Sequence, residues 1–277
     1  FLFEPYPEDP QAIDPARWYV VHVAEGDDLT NHLGITKYEP EVPAQLRGVV
    51  EGAWPFFLSK TDETRIQSCP GVLTRRKGEM MYGTEKIDGS SFTCYYYPHD
   101  RADELGLPKH PDDVEKGYKF GVCSRNLPLK YSPDNAYWKM AEKYDLEKRL
   151  VEYGKPLAIQ AEMYGPGIQD NKLKHPTVDL AVFNVFNLET KKYLDRVDFV
   201  VSVGDLGLPE VPTIYEAFVL DHTVDQLSIM ATVKSKINPE IWAEGIVFRP
   251  YVESQEKDLG RFSFKFINVE FLLKYGG

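Results

Sequence analysis

The alternation of hydrophobic and polar residues predicts a chain in which short strands outnumber helices. Runs rich in β-branched and aromatic residues, bounded by Gly, Pro, Asn or Asp, are typical of strands. Such runs cover residues 18–23, 157–163, 180–186, 245–248 and 261–267. Because no regular helical crossover separates them, the pattern favours an α+β fold with antiparallel sheets flanked by helices.

A strand–turn–strand unit is predicted over residues 82–97. Asp88-Gly89 is a typical turn pair, and residues 92–97 after it have side chains that favour strands. The pattern therefore predicts two strands joined by a turn at Asp88-Gly89.

Helical patterns are fewer. The clearest helix follows Ser132-Pro133-Asp134, where a capping residue and a first-turn proline precede an amphipathic stretch that stops by Gly154. Further helices are predicted over residues 224–237 and, with an acidic first turn, over residues 27–33.

A proline-spaced segment divides the chain near its N-terminus. Neither Pro40 nor Pro43 can sit in a helix interior or a central strand, so the segment indicates a connector. We therefore expect the main domain to begin near Ile35 and to cover residues 35–277, with residues 1–34 outside it.

Composition limits the classes of function. With 277 residues and 43% hydrophobic content the chain can bury one large core, and it contains no apolar run long enough to cross a membrane. Its net charge of −11 argues against a protein that coats nucleic acid non-specifically. Three cysteines without a C-x-x-C pair favour a reducing intracellular compartment, cytoplasmic or, in a eukaryote, nuclear or organellar.

Short basic strips nevertheless offer local contacts for one nucleic-acid segment. They are residues 75–77, Lys116 with Lys119, Lys172 with Lys174, and Lys191-Lys192. Each strip fits a group of solvated surface charges equally well.

Residues 84–91 carry the main candidate chemistry, a K-x-D-G arrangement of Lys86, Asp88 and Gly89. A lysine amine attacks phosphorus only after it has lost a proton, and a glycine lets the backbone approach a ligand closely. Along an extended chain Asp88 lies on the same face as Lys86. Taken alone, these residues also fit a surface Lys–Asp pair beside a hairpin turn.

Three residues further along the chain change that interpretation. Glu162 ends one apolar strand, Glu244 precedes another, and Lys265 lies on an alternating strand. Nucleotidyl transfer needs these residue types: a lysine nucleophile, carboxylates for a divalent metal and a ribose, and a second cation on the α-phosphate. For each residue by itself, a solvated strand end or an edge-strand lysine remains the alternative.

In this order the residues resemble the motifs of the covalent nucleotidyltransferase superfamily, which includes DNA ligases, RNA ligases and mRNA capping enzymes. The chain is most similar to ATP-dependent RNA ligases with an OB module N-terminal to the catalytic domain. The similarity runs over roughly residues 33–275 and includes the segments 59–67, 123–126 and 165–169. It implies a nucleotidyltransferase fold for residues 35–277, and it makes residues 1–34 the remnant of an OB module or a linker.

The resemblance also implies how the nucleotide is held. Lys86 would carry AMP, Glu85 would meet adenine through its backbone, and Glu162 would bind the ribose. Phe183 would stack on adenine. Leu180 occupies the alternative stacking register, and a core aromatic is the alternative role for Phe183.

Further implied roles concern metal and phosphate. A hydrated Mg²⁺ or Mn²⁺ ion would be held, mainly through its waters, by Asp88, Glu162 and Glu244. Four cations would contact the phosphates of ATP: Arg125 and Lys265 at the α-phosphate, and Arg65 with Lys60 at the departing pyrophosphate.

Two positions depart from the family pattern. Ser91 stands where DNA ligases and capping enzymes carry an arginine two residues beyond the glycine, so Arg125 would serve instead. The last motif usually has two lysines one residue apart, whereas in this chain Lys265 is accompanied by Ser263 and Ile267. Which of the two lysine roles Lys265 fills stays open.

The resemblance implies an enzyme that seals RNA in three steps. Lys86 takes AMP from ATP, passes it to an RNA 5′-phosphate, and a 3′-OH then displaces AMP. The expected partners are RNA ends or a nicked RNA duplex, with no membrane, and we expect a monomer. One rival is the adenylation domain of a DNA ligase, which normally continues well beyond the position of Lys265. The other is a catalytically inactive nucleic-acid-binding relative, which has no need of the nucleophile.

Overall fold

The computed structural model describes Glu4–Pro5, Tyr19–Val20 and residues 48–276. The chain divides into two units, Phe1–Glu41 and Val42–Gly277. In the first unit, β1 (Glu4–Pro5) pairs in parallel with β2 (Tyr19–Val20), which confirms part of the strand predicted over residues 18–23. The predicted helix 27–33 and the proline-spaced connector lie outside the described residues.

The second unit is built from strands joined by short helices. Its longer strands are β4 (Met80–Lys86), β5 (Ser90–Pro98), β6 (Tyr118–Cys123), β8 (Leu157–Tyr164), β9 (Asp179–Asn187), β11 (Thr213–Val219), β12 (Gly245–Pro250) and β15 (Phe264–Ile267). Two-residue strands add β3 (Thr64–Arg65), β7 (Pro128–Leu129), β10 (Lys192–Tyr193), β13 (Gln255–Glu256) and β14 (Gly260–Arg261).

Helices lie between these strands along the chain. They are α1 (Gly71–Arg75), α2 (Ala102–Leu105), α3 (Ala136–Lys143), α4 (Leu146–Tyr153), α5 (Arg196–Asp205), α6 (Val224–Ala231) and α7 (Val269–Tyr275). In the described part of the chain, none of the helices has the length and apolar character that crossing a bilayer requires.

The larger sheet is antiparallel throughout, in the order β10-β9-β8-β5-β6-β7. Its central strand β5 is buried on both faces from Phe92 to Tyr97, which explains why this stretch is mostly apolar. Phe92, Cys94 and Tyr96 pack into a core with α3, α4 and α5, whereas Tyr95 and Tyr97 point to a second core with α2. This arrangement confirms the predicted α+β class.

The smaller sheet has the order β11-β4-β12-β15-β3. Its pairs are antiparallel except for β15 with β3, which run parallel, so the prediction of antiparallel sheets misses one edge. One face carries a core of aromatic and aliphatic side chains with α1 and α6, among them Ile246, Phe248 and Phe264.

The predicted strand–turn–strand unit is confirmed as β4 and β5, but the two strands do not pair with each other. β4 pairs with β11 and β12 in the smaller sheet, while β5 pairs with β6 and β8 in the larger one. Residues 87–89 therefore carry the chain from one sheet to the other. The reason is that strand partners are chosen by long-range packing, which the local turn signal does not contain.

Two helices are shorter in the structure than the sequence predicts. The helix expected up to Gly154 is divided into α3 and α4 at Asp145, which has a left-handed φ of 49°. The N-cap of α3 is Asn135 and not the predicted Ser132 or Asp134. The end at Gly154 is confirmed. α6 stops at Ala231, because Lys234 then forms an isolated bridge with Trp242.

The strands predicted over residues 157–163, 180–186 and 245–248 are confirmed as β8, β9 and β12. The strand predicted over 261–267 is divided, because β14 ends at Arg261 and β15 begins at Phe264.

Candidate active site

A cavity of about 360 Å³ opens between the two sheets, at the turn that connects β4 to β5. We call it the central cavity. Both sheets and the loops before β3 and after β6 contribute to its walls. It gathers the residues predicted for the site apart from Lys60: Arg65, Glu85, Lys86, Asp88, Gly89, Arg125, Glu162, Phe183, Glu244 and Lys265.

Strand register brings Lys86 and Glu244 together. Gly245 on β12 is the partner of Lys86 on β4, so the residue before Gly245 stands beside the lysine. The Lys86 Nζ atom donates a hydrogen bond to Glu244 Oε2 at 2.6 Å, and both side chains are largely buried. Two residues far apart in sequence thus form a partly buried ion pair in the wall of the central cavity.

Asp88 does not pair with Lys86, although both line the central cavity. β4 ends at Lys86, so the extended geometry that would place the two on one face does not continue to Asp88. Instead the Lys172 Nζ donates to Asp88 Oδ2 at 2.8 Å, and this hydrogen bond raises the pKa of Lys172. The sequence had marked Lys172 only as part of a basic strip.

Six carboxylates line the central cavity, and the three predicted to hold a metal are not neutralised equally. Burial raises the pKa of the Glu162 carboxyl to about 8, although the charge of Lys86 lowers it and that of Glu244 raises it. Burial also raises the pKa of Glu244, opposed by its hydrogen-bond partner Lys86. Within the described residues, no three His, Cys, Asp or Glu side chains converge closely enough to hold a metal ion directly.

The donor chemistry nevertheless fits a hydrated divalent cation. Oxygen ligands are what Mg²⁺ prefers, and it keeps several of its waters when bound to protein. Asp88, Glu162 and Glu244 supply oxygens around one cavity. The raised pKa of Glu162 reflects a buried carboxyl without enough positive charge nearby, which an added cation would correct.

Two cations lie on β15 and β3, which are neighbouring strands at one edge of the smaller sheet. Lys265 on β15 is the register partner of Arg65 on β3, and both face the central cavity. Burial lowers the pKa of Lys265, and the charge of Lys86 lowers it further, so these two amines lie close enough to repel each other. Such an accumulation of positive charge favours a polyanionic ligand.

Arg125 reaches the central cavity from the loop after β6. Its Nη2 atom pairs with Asp62 Oδ1 at 2.5 Å, and this hydrogen bond lowers the pKa of Asp62. The Arg125 side chain is largely exposed, so it remains near the mouth of the cavity. Asp62 was not predicted as a site residue.

Lys60 is the predicted site residue that the structure places elsewhere. It lines a neighbouring cavity, and its Nζ donates to the amide oxygen of Asn126 at 3.2 Å. The prediction that it acts beside Arg65 is not supported by this placement, because the two side chains line different cavities.

Phe183 reaches the central cavity because of a β-bulge. Gln160 pairs with Asn184, but Ala161 pairs with Val182, which leaves Phe183 as the extra residue of β9. A bulge re-aims one side chain, and bulges are frequent next to active sites. Leu180, the alternative in the sequence, is buried in the helix-covered core instead.

Glu85 is buried on β4 beside the cavity. Its Oε2 accepts a hydrogen bond from the backbone N–H of Lys236 at 2.8 Å, while its Oε1 has no hydrogen-bond partner among the described residues. Burial raises the pKa of this carboxyl. The backbone N–H of Glu85 already donates to the Pro212 carbonyl oxygen at 2.8 Å, so the side chain and the N–H are both used within the protein.

A buried ion pair in the wall of the central cavity, Arg249 with Glu63, was not predicted from the sequence. Arg249, which is 2% exposed, donates to Thr84 Oγ1 at 3.0 Å and to Glu63 Oε1 at 3.5 Å, and its guanidinium lies 5.9 Å from the Phe183 ring. Ser263 donates to the same Glu63 carboxylate. Ser263, one of the two positions for a second lysine, thus supports the wall, whereas Ile267 lines the cavity.

The fold is of the nucleotidyltransferase type, and comparison with known proteins gives the family. The model of the RNA ligase family matches residues 79–267, which span the strands that carry Lys86, Glu162 and Lys265. This chain belongs to the RNA ligase family.

Solved structures of Naegleria gruberi RNA ligase are similar over most of the chain. A variant of that enzyme without ligand matches with a TM-score of 0.69 and 32% identity, covering 91% of this chain and 67% of that one. A variant with ATP and Mn matches with a TM-score of 0.68 and 32% identity, over 91% and 68%. The same values hold for the enzyme with pyrophosphate.

Proposed function

We propose that this chain is an ATP-dependent RNA ligase that forms a covalent lysyl–AMP at Lys86, transfers AMP to an RNA 5′-phosphate and seals it to a 3′-OH. The observation that carries the proposal is the central cavity itself. It holds the Lys86 amine between a carboxylate, Glu244, and a second amine, Lys265. Family membership and the Naegleria forms with ATP and Mn, and with AMP and Mn, support ATP and a divalent metal as the co-substrate and cofactor.

In the first step the Lys86 nitrogen attacks the α-phosphorus of ATP. The N–P bond forms while the bond to the pyrophosphate oxygen breaks, and the electron pair leaves with pyrophosphate. The amine has to give up a proton, and Glu244, with its raised pKa, is the nearest acceptor. Lys265 and Arg125 offset the negative charge that develops on the α-phosphate.

In the second step an oxygen of the RNA 5′-phosphate attacks the same phosphorus and releases the Lys86 amine. In the third, the 3′-OH of the neighbouring strand attacks the RNA 5′-phosphorus and AMP leaves. Asp88, Glu162 and Glu244 would hold the divalent cation through its waters, and that cation would reduce the negative charge of the phosphates.

The nucleotide contacts follow from the same walls. Phe183 offers an aromatic face for adenine, and Glu162 lies near enough to Lys86 to reach the ribose of a bound AMP. Arg65, beside Lys265, is placed to receive the departing pyrophosphate. Residues 1–34 are assigned to an OB module or a linker on the resemblance alone.

The test is labelling of the protein with ATP that carries radioactive α-phosphate, in the presence of Mg²⁺. We expect label on the parent and on Lys155→Met, an exposed lysine remote from the cavity, and none on Lys86→Met. Adding pyrophosphate to the labelled protein should regenerate labelled ATP. Labelling that survives in Lys86→Met would remove this lysine from the reaction. Label on the parent without transfer of AMP to an RNA 5′-phosphate would restrict the activity to the first step.

A further inference from the structure

A second cavity, of about 450 Å³, adjoins the central cavity and shares the wall formed by residues 61–63. Three exposed lysines surround its mouth: Lys60, Lys191 and Lys192. We call it the lysine-rimmed cavity after these residues. An RNA strand whose end lay in the central cavity would have to cross a neighbouring part of the surface. The lysine-rimmed cavity is continuous with the central cavity and therefore offers such a path.

The acidic residues of the lysine-rimmed cavity do not cancel its lysines. Each carboxylate there is already paired with an arginine: Asp62 with Arg125, Glu63 with Arg249, and Glu253 with Arg261.

None of these lysines forms a salt bridge among the described residues, although Lys60 lies close enough to Asp62 to help lower the pKa of that carboxyl. Among the residues that the structure describes, neither Lys191 nor Lys192 pairs with a carboxylate, and Lys60 donates only to the neutral amide oxygen of Asn126. The mouth is therefore locally positive in a chain whose net charge is −11. That is the charge distribution of an enzyme that grips one short polyanionic segment.

Local backbone chemistry fixes the position of two of these lysines. The Asn187 side chain accepts hydrogen bonds from the backbone N–H groups of Glu189 and Thr190, at 2.8 and 3.0 Å, and so forms the turn between β9 and β10. Lys191 continues this turn with a left-handed φ of 55°, and Lys192 then pairs with Asn187 in the ladder. The lysines are presented by an ordered turn attached to the sheet that carries Phe183.

The floor of the lysine-rimmed cavity suits sugars and bases without selecting among them. The Tyr193 ring packs against Phe186 at 5.0 Å, the Arg261 guanidinium lies 3.7 Å from Tyr193, and Leu259 adds apolar surface. Flat apolar and guanidinium surfaces beneath a row of cations are the features with which proteins hold single strands independently of sequence.

We propose that the lysine-rimmed cavity binds the sugar–phosphate backbone of the RNA strand whose end enters the central cavity. The proposal rests on the proposed RNA-ligase function and adds to it the path of the substrate. It also gives Lys60 a different role from the one expected at the pyrophosphate, since Lys60 faces this cavity and not the central one.

The test uses the whole 277-residue chain and a fluorescent nicked RNA duplex, with binding followed by anisotropy across a salt series. Lys191→Glu combined with Lys192→Glu removes two phosphate contacts. Each contact contributes about 0.7 to 0.9 to the slope of log Kd against log salt, so the slope should fall by roughly 1.4 to 1.8. At 0.1 M salt the same loss corresponds to roughly 25- to 60-fold weaker binding.

Lys139→Glu combined with Lys155→Glu is the matched control, because it makes the same change in net charge at exposed lysines outside both cavities. Lys191→Gln with Lys192→Gln provides a milder second variant, and thermal melting checks that each protein is folded. Self-labelling with ATP in the absence of RNA should be unchanged in all of them, since none of these residues lines the central cavity.

The outcomes separate the two proposals. RNA binding that weakens only in the Lys191 and Lys192 variants, with labelling intact, supports the RNA path. Binding no weaker than in the control overturns it, and so does a parallel loss of labelling, which would assign this cavity to the pyrophosphate of ATP. If the parent protein is not labelled, the Lys86 proposal fails, but the binding comparison still decides whether RNA occupies the lysine-rimmed cavity.

Discussion

Replacing Gly89 with alanine tests the close approach between the 87–89 turn and β8. A Cβ atom at this position would lie 2.4 Å from the Met163 carbonyl oxygen and 2.8 Å from Glu162 Cγ. The carbonyl cannot move away easily, because Met163 is paired with Ser90 on one side and Leu180 on the other. The turn or the Glu162 side chain must shift instead.

The cost to stability follows from two opposing effects. Overpacking of this kind typically costs about 1–3 kcal/mol. Alanine also reduces the freedom of the unfolded chain, which returns about 0.4–1 kcal/mol. The net loss should be roughly 0–2.6 kcal/mol, equivalent to a melting temperature lower by up to about 10 °C in a domain of this size.

The effect on activity should be larger, because the displaced groups are Glu162 and Asp88. A misplacement of about 1 Å can reduce the rate of a positioned reaction about 100-fold. We expect Gly89→Ala to form lysyl–AMP about 100-fold more slowly in single-turnover labelling with excess ATP, while remaining folded at the assay temperature.

Gly204→Ala is the matched control. Gly204 lies in α5, where an added Cβ meets no atom within 4 Å, so alanine should stabilise the helix by up to about 1 kcal/mol and leave labelling unchanged. A Gly89→Ala protein that melts and labels like the parent would refute the close approach and, with it, the packing of the 87–89 turn against β8.

Two further predictions concern buried polar groups. Because the pKa of Glu162 is raised from 4.5 to about 8 in the folded chain, the folded state binds the extra proton between these values and loses stability as pH rises through them. In denaturant titrations without nucleotide, Glu162→Gln should therefore gain stability over the parent between pH 6 and 9, by a few kcal/mol at about 1.4 kcal/mol per pH unit. The exposed control Glu115→Gln should show no such gain. Parallel curves of stability against pH for Glu162→Gln and the parent would contradict this prediction. Asn268 is fully buried, donates to the Val233 and Ala243 carbonyl oxygens and caps α7, so Asn268→Ala should lose about 2–4 kcal/mol, and a loss below about 1 kcal/mol would argue against these bonds.

The sequence alone was enough for the local features of this protein. The period of the apolar residues located β8, β9 and β12, because alternation is a property of neighbouring residues and survives whatever the strand pairs with. The K-x-D-G segment, with its downstream carboxylates and lysine, indicated the chemistry for a similar reason. Residue types and their order can be read directly from the sequence. Lys86, Glu162 and Lys265, which were selected in this way, line one cavity.

Only the tertiary structure decided how these pieces meet. Lys86 pairs with Glu244, 158 residues away, because of the register between β4 and β12, and no local signal fixes that register. The turn at Gly89 was recognisable, but its strands enter different sheets, since each finds its partners through packing far along the chain. Phe183 lines the central cavity at a β-bulge, whereas Lys60 lines the neighbouring cavity. A bulge of one residue hardly changes the sequence pattern, yet it changes the face of the sheet on which the side chains emerge.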